Sequence, residues 1–364
     1  MIEKAGLRIP KCYDAKLLPN AENPIESKFS LLLEDFAPTD GWSQRWLLQS
    51  EDEVKATLTT FAKLHAYFWE GSNFYNDAEV TTELENGVWE SASYVQPKLQ
   101  TLNQCKDVAT GWASSKLKCQ KELEHFDYWD NLGERLESVA EENGRLAHPF
   151  AVDELKDEYR KYKTFTHGKS TYAYIEYGGG LNCFEAQGFV YMMCLFTNHP
   201  SKINLGDPKQ ANLFFRQSSS SSNNLEVGLI DFQWAGFGLA ATDIAHFISA
   251  AVYADLLVDD GESKLLQYYY EKLKQYLVEY GAYDSADEAI EQYSFDTFME
   301  QYETAVLDMC RLVIAYAWSR FEPVDKDDKA GCARTMNKNS YNKSMPNVIW
   351  LMSRCDSILK SRGV

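Results

Sequence analysis

Three residues within one stretch have the types and spacing to do chemistry together: Asp207, Asn212 and Asp231. Asp207 and Asn212 form a D-x-x-x-x-N pair, followed by the apolar run Leu213–Phe215. A polar tip of five serines and two asparagines comes next, and then a second apolar run from Val227 to Ile230 that ends in Asp231-Phe232-Gln233. Two Val/Ile/Leu/Phe-rich runs around a polar loop predict a β-hairpin. Closing that hairpin lays Asn212, just before one strand, beside Asp231, just after the other, with Asp207 close by.

Two carboxylates and an amide so placed suit phosphoryl transfer. Mg²⁺ takes hard oxygen ligands, usually one or two from the protein, and neutralises phosphate charge. Asp231 and Asn212 can supply those oxygens, and Asp207 can accept the proton of an attacking hydroxyl. A loop Asp, an Asn five positions on and a metal-binding Asp after a hairpin is the kinase pattern. The plainer reading makes Asp207 and Asn212 turn residues beside Pro208, and Asp231 a strand end. D-x-x-x-x-N alone is weak evidence; loop, hairpin and D-F-Q together favour the chemical reading.

The elements that must position these residues are mostly helical. Short strands are expected at Ile9–Ala15 and Phe29–Leu33, with a helix over Ser50–Phe68 that Ser50 can cap. Helical stretches follow at Gln120–His125 and Asn131–Ala140, then a strand at Lys163–Thr166. Beyond the hairpin, Gly236 and Gly238 read as a flexible turn. Helices are expected at Asp243–Ala254, Leu265–Tyr280, Ala286–Tyr293 capped by Ser285, Phe298–Phe321 and Met345–Leu359. Glu322–Asn342, which contains DKDDK, reads as a polar loop.

Composition bounds the setting. The 364 residues are 45% hydrophobic and carry a net charge of −18, which argues against a nucleic-acid or anionic-membrane partner, since both need a basic surface. The eight cysteines are scattered, without a C-x-x-C pair, so neither a zinc site nor a disulfide framework is signalled. No signal peptide or long apolar span is recognised, which makes a cytoplasmic location the expectation.

The segments GDPKQANLFF (206–215) and VGLIDFQWAGFGLAATDIAHFI (227–248) resemble the aminoglycoside-phosphotransferase and choline-kinase superfamily. More narrowly they resemble its choline-kinase-like, or ecdysteroid-kinase-like, branch. AKLHAYFW (62–69) adds to this, and the resemblance extends over nearly the whole chain. It implies a protein-kinase-like α+β fold that phosphorylates hydroxyls of small molecules with ATP and Mg²⁺. It also implies that FSLLLEDFAPTDGW (29–42) holds the hinge, where adenine would meet the Glu34 carbonyl, the Phe36 amide and the Leu33 side chain. Asp243 then corresponds to an acidic residue that holds the catalytic loop. His65, in an apolar helix, is expected to be a packed core residue.

Two departures from the family pattern stand out. No Gly-rich hairpin, phosphate-binding lysine strand or partner helix precedes Phe29, so the chain reads as N-terminally truncated. The family's H-G-D is also interrupted: His167-Gly168 and Asp207 are separated by residues 169–206, and deleting these gives KTFTHGDPKQANLFF. Gly-Lys-Ser and Leu-Gly at the ends of the segment can be encoded with 5′ and 3′ splice-site sequences, so a retained intron is expected rather than a native insertion. The triple glycine 178–180 lacks the Lys-Ser/Thr of a P-loop.

The expectation is therefore an N-lobe remnant and hinge over 1–42 and a mostly helical C-lobe with a catalytic hairpin over 43–364. Asp207 would be the base, His167 would orient its loop, Asn212 and Asp231 would hold metal, and a small-molecule hydroxyl would be the acceptor. Whether this chain is an active enzyme is left open, with activity expected to be impaired. The main alternative is a non-catalytic pseudokinase remnant or binding protein, and the weaker one a hydrolase using the same carboxylates. Acceptor identity and oligomeric state have no readable signal.

Overall fold

A computed structural model describes residues 5–18, 28–87, 91–92, 107–126, 129–166, 209–217, 225–232, 235–315, 322–336 and 344–364. Strands β1 (Cys12–Leu18) and β2 (Lys28–Leu33) pair antiparallel, Cys12 opposite Leu33 and Leu18 opposite Lys28. Strand β3 (Thr164–Thr166) pairs antiparallel with β6 (Gly236–Gly238), and β4 (Leu213–Gln217) with β5 (Leu225–Leu229). The rest is mainly helical: α1 (Glu51–Tyr67), α2 (Ala78–Gly87), α3 (Val108–Lys118), α4 (Leu132–Ala147) and α5 (Ala240–Ala251). They are followed by α6 (Gly261–Glu279), α7 (Ala286–Gln292), α8 (Phe295–Ala315), α9 (Lys329–Thr335) and α10 (Met345–Ser361).

Apolar residues at helical spacing explain the packing. In α1, Val54, Leu58, Phe61, Ala62 and Leu64 are buried, and the helix lies against α6. α8 buries nearly every residue from Thr304 to Ile314, because it runs between α4, α5 and α3 and so has no solvent face in that span. Arg311 is sealed inside this layer; it donates to Asp308, whose other oxygen faces His148 at 3.2 Å. A buried guanidinium is tolerated only with such partners.

Several sequence expectations shift. β1 begins at Cys12 rather than Ile9, because Pro10 cannot donate to a ladder and Arg8 instead bridges to Gly228 in parallel register. Ser50 sits at the N-cap of α1, but its hydroxyl makes no capping bond. Ser285 does cap α7, accepting from the Glu288 amide at 3.2 Å. The segment read as a polar loop contains α9, started by Asp328 accepting from the Gly331 amide and anchored where the Trp46 indole donates to Thr335. The expected Gly236–Gly238 turn is strand β6: a Cβ at Gly238 would come within 2.7 Å of the Thr166 hydroxyl, so glycine is what lets the strand lie against β3.

Candidate active site

The hairpin closes in the expected register. Leu213 pairs with Leu229, and the Ile230 amide donates to the Asn212 carbonyl at 3.1 Å, so Asn212 and Asp231 flank the same end of the ladder. Asn212 ends a short 3-10 turn and is buried at 4% exposure, with the preceding Ala211 carbonyl taken by the Gln44 side chain at 2.6 Å. Asp231 is half-buried, its Oδ1 is sealed from solvent, and its backbone has φ of 70°. Asp tolerates left-handed backbone better than most residues, and such strain gathers where surrounding structure holds a functional side chain in place. The following Phe232, 2% exposed, is the apolar anchor that holds the turn against the core.

Asp207 and His167 lie outside the described residues, as do Gln233, the serine tip and all of 169–206. The described chain reaches both flanks of that stretch: β3 ends at Thr166, one residue before His167, and Lys209 opens the turn into Asn212. The base and its orienting histidine remain sequence expectations.

Behind this site a buried chain of polar groups joins three helices. Asp243 of α5 faces His65 Nε2 at 3.2 Å, and the Tyr269 hydroxyl of α6 lies 2.7 Å from Nδ1. With Nε2–H donating to the Asp243 carboxylate, Nδ1 is left to accept from the Tyr269 hydroxyl. Burial pushes the Tyr269 phenol well above its ordinary value, so it keeps its proton. The His65 carbonyl accepts from the Thr164 hydroxyl at the start of β3. His65 is fully buried, as expected of a packed core histidine, yet every polar atom on it is used. No local signal linked His65 to Asp243 and Tyr269, which are far away in sequence.

At the expected hinge, Phe36 is buried and stacked on Trp42 at 4.4 Å between centroids, with Phe214 at 5.2 Å. A Cβ at Gly228 would come within 2.5 Å of the Phe36 ring, so the ring occupies the space β5 leaves there. The Arg8 guanidinium caps Phe36 at 4.7 Å and pairs with Glu34. Burial pushes the Glu34 carboxyl up, but the Arg8 hydrogen bond, the Lys11 amide and the charges of Arg8 and Arg216 outweigh it and hold it below the usual range. Among the described residues no backbone group pairs with the Glu34 carbonyl or the Phe36 amide. Leu33 is half-buried at the end of β2. Ser43 then joins the hinge to the hairpin, exchanging both backbone hydrogen bonds with Phe215. The Arg8 clamp was not foreseen; its signal, an Arg spaced to reach a Glu across a strand pair, is common in any sheet.

A helical body with small antiparallel sheets, one a hairpin with Asn212 and Asp231 flanking the same end, is an α+β arrangement consistent with a kinase-like fold. Residues 184–283 match the model of the ecdysteroid kinase-like family, so the resemblance read from the sequence is borne out over that stretch. The match begins inside the 169–206 segment and runs through Asn212, Asp231, Asp243 and the whole of α6. No curated protein and no solved structure matches the chain. The family is one of small-molecule kinase-like proteins. Among the described residues no helix is long and apolar enough to cross a membrane.

Proposed function

We propose that this protein is a phosphotransferase that moves the γ-phosphoryl group of ATP to a hydroxyl of a small molecule. The observation that carries the reading is the hairpin end, where register holds Asn212 against Ile230 and the strained Asp231 follows. One carboxylate and one amide oxygen are hard donors and fit Mg²⁺, which keeps several waters and leans on substrate phosphates rather than on an all-protein cage. No group of three or more His, Cys, Asp or Glu side chains forms a metal cage among the described residues, in keeping with that kind of site. When bound, Mg²⁺ would neutralise phosphate charge between Asp231 and Asn212.

The remaining roles belong to the chain itself. The Glu34 carbonyl, Phe36 amide and Leu33 side chain are assigned to the adenine ring. Asp207 accepts the proton of the attacking hydroxyl, and His167 orients the loop that carries it. The His65–Asp243 pair fixes α1 against α5. A cytosolic setting suits this chemistry, which draws on ATP.

Asp207→Asn tests the reading. It removes the proton acceptor and leaves the metal ligands, so ADP release with a panel of small alcohols should fall by at least about a hundredfold, with ATP binding nearly unchanged. Unaltered turnover would remove Asp207 from the mechanism. A binding protein without catalysis, the second reading, predicts no alcohol-dependent ADP release from either form. It is favoured by the separation of His167 from Asp207 by residues 169–206.

A further inference from the structure

A cleft of about 1190 Å³ lies away from the Asn212–Asp231 pair, between α1, α6, β5 and the backbone of Gly6–Arg8. On a chain with a net charge of −18, its walls carry more cationic than anionic side chains. Most of that charge is already neutralised. Arg45 pairs with Glu53, Lys55 with Glu51, and Arg8 with Glu34 and, at 3.9 Å, Glu226. Asp52, exposed in the first turn of α1, adds one opposing charge.

Lys63 and Lys272 are the exceptions. Both are half-buried in the cleft, and among the described residues neither has a carboxylate within ion-pair distance. Lys63 Nζ lies 5.6 Å from the centre of Tyr276, and Lys272 Nζ lies 5.9 Å from that of Tyr268 and donates to the Gln275 side chain, a neutral partner, at 3.2 Å. Lys272 and Tyr276 stand one helical turn apart, so they share a face of α6, and Lys63 reaches the same ring from α1. Tyr268 is itself pinned by Thr59 at 3.0 Å. Tyr276 lines the cleft, and burial raises its phenol above the ordinary value, so it keeps a proton to donate. Two ammonium groups and a hydroxyl donor therefore line the same cleft.

We propose that this cleft binds a soluble phosphorylated small molecule, with Lys63 and Lys272 supplying the charge and Tyr276 a hydrogen bond to the phosphate. A phosphomonoester carries about −1.5 to −2 at neutral pH, which matches two ammonium groups better than a single carboxylate does. Lysine serves phosphate as a point charge and needs no fork geometry. The volume exceeds what a free inorganic anion fills, and Leu225, Val227 and Ala56 in the lining offer apolar contact to an organic moiety. A lipid headgroup is disfavoured because the strongly negative chain would be repelled by an anionic membrane surface. The occupant would lie against Leu225 and Val227 of β5, the strand that leads to Asp231.

Calorimetric titration of the full chain with phenyl phosphate, inorganic phosphate and, as an ionic-strength control, potassium chloride tests this. Phenyl phosphate should bind more tightly than inorganic phosphate, and chloride should give no saturable heat. The double variant Lys63→Met, Lys272→Met should weaken phenyl phosphate at least about tenfold. Tyr276→Phe, which removes a single hydroxyl and keeps the ring, should weaken it measurably and guards against a folding failure of the double variant. Asp231→Asn should leave this binding intact, and so separates the cleft from the proposed nucleotide site. The proposal is overturned by absence of saturable binding, by undiminished binding in the Tyr276→Phe and double variants, or by loss of binding in Asp231→Asn.

Discussion

At the scale of residues, the decisive feature is how few groups the candidate site uses and how tightly the backbone fixes them. Asp231 was legible because a carboxylate at the end of an apolar run has little reason to be there for packing. Its positive φ was not legible, since backbone strain has no local sequence signal for Asp. His65 was legible only as a buried histidine; its partners Asp243 and Tyr269 come from helices far along the chain. Replacing His65 by Ala removes one side of a buried hydrogen-bonded pair and leaves Asp243 facing a cavity. Such breaks cost about 3–5 kcal/mol, and thermal denaturation should show a loss of that order. His65→Gln, which can still donate to the carboxylate, should recover part of it. An unchanged melting temperature in His65→Ala would mean that the pair contributes nothing to stability.

At the scale of elements, the hairpin β4–β5 was readable because alternating apolar residues around a polar tip leave few other solutions. Helix α9 was not, because its anchors are the Asp328 cap and a contact with Trp46, nearly three hundred residues away in sequence, and neither shows in a polar stretch containing DKDDK. Strand β6 was misread for a similar reason: glycines signal a turn locally, whereas here they answer a close approach by Thr166. The hinge depends on Arg8 joining Glu34 to the Phe36–Trp42 stack. The folded-state pKa of Glu34 lies below its unfolded value. Its contribution is therefore complete above the ordinary glutamate value of about 4.3 and is lost as pH falls through the depressed folded value. The stability difference between the wild type and Glu34→Gln should be constant from neutral pH down to that point and shrink below it. A difference that grows on acidification would reverse the sign assigned to the Arg8 pair.

At the scale of the whole molecule, the family match spans the hairpin, the Asp231 turn and two helices that support them, which is also the part most legible from sequence. Of the helices flanking it, α1, α4, α7, α8 and α10 were legible as helices, but their mutual packing was not, because α8 buries nearly all sides and carries no single apolar stripe to give its neighbours away. The expectation that residues 169–206 impair activity is tested by removing them. A form in which His167-Gly168 joins directly to Asp207 should turn over ATP at least about a hundredfold faster than the 364-residue chain, since small misplacements of catalytic groups are costly. Equal rates would show that the segment does not disturb the loop. The central claim rests on Asn212 and Asp231 as the metal–nucleotide pair, and calorimetry of ATP binding with and without Mg²⁺ tests it most directly. The account predicts that Mg²⁺ strengthens ATP binding in the wild type, that Asp231→Asn loses this dependence at an unchanged melting temperature, and that Asn212→Ala loses less of it, because an amide offers the ion only a dipole. Mg²⁺-dependent binding that persists undiminished in Asp231→Asn would contradict it.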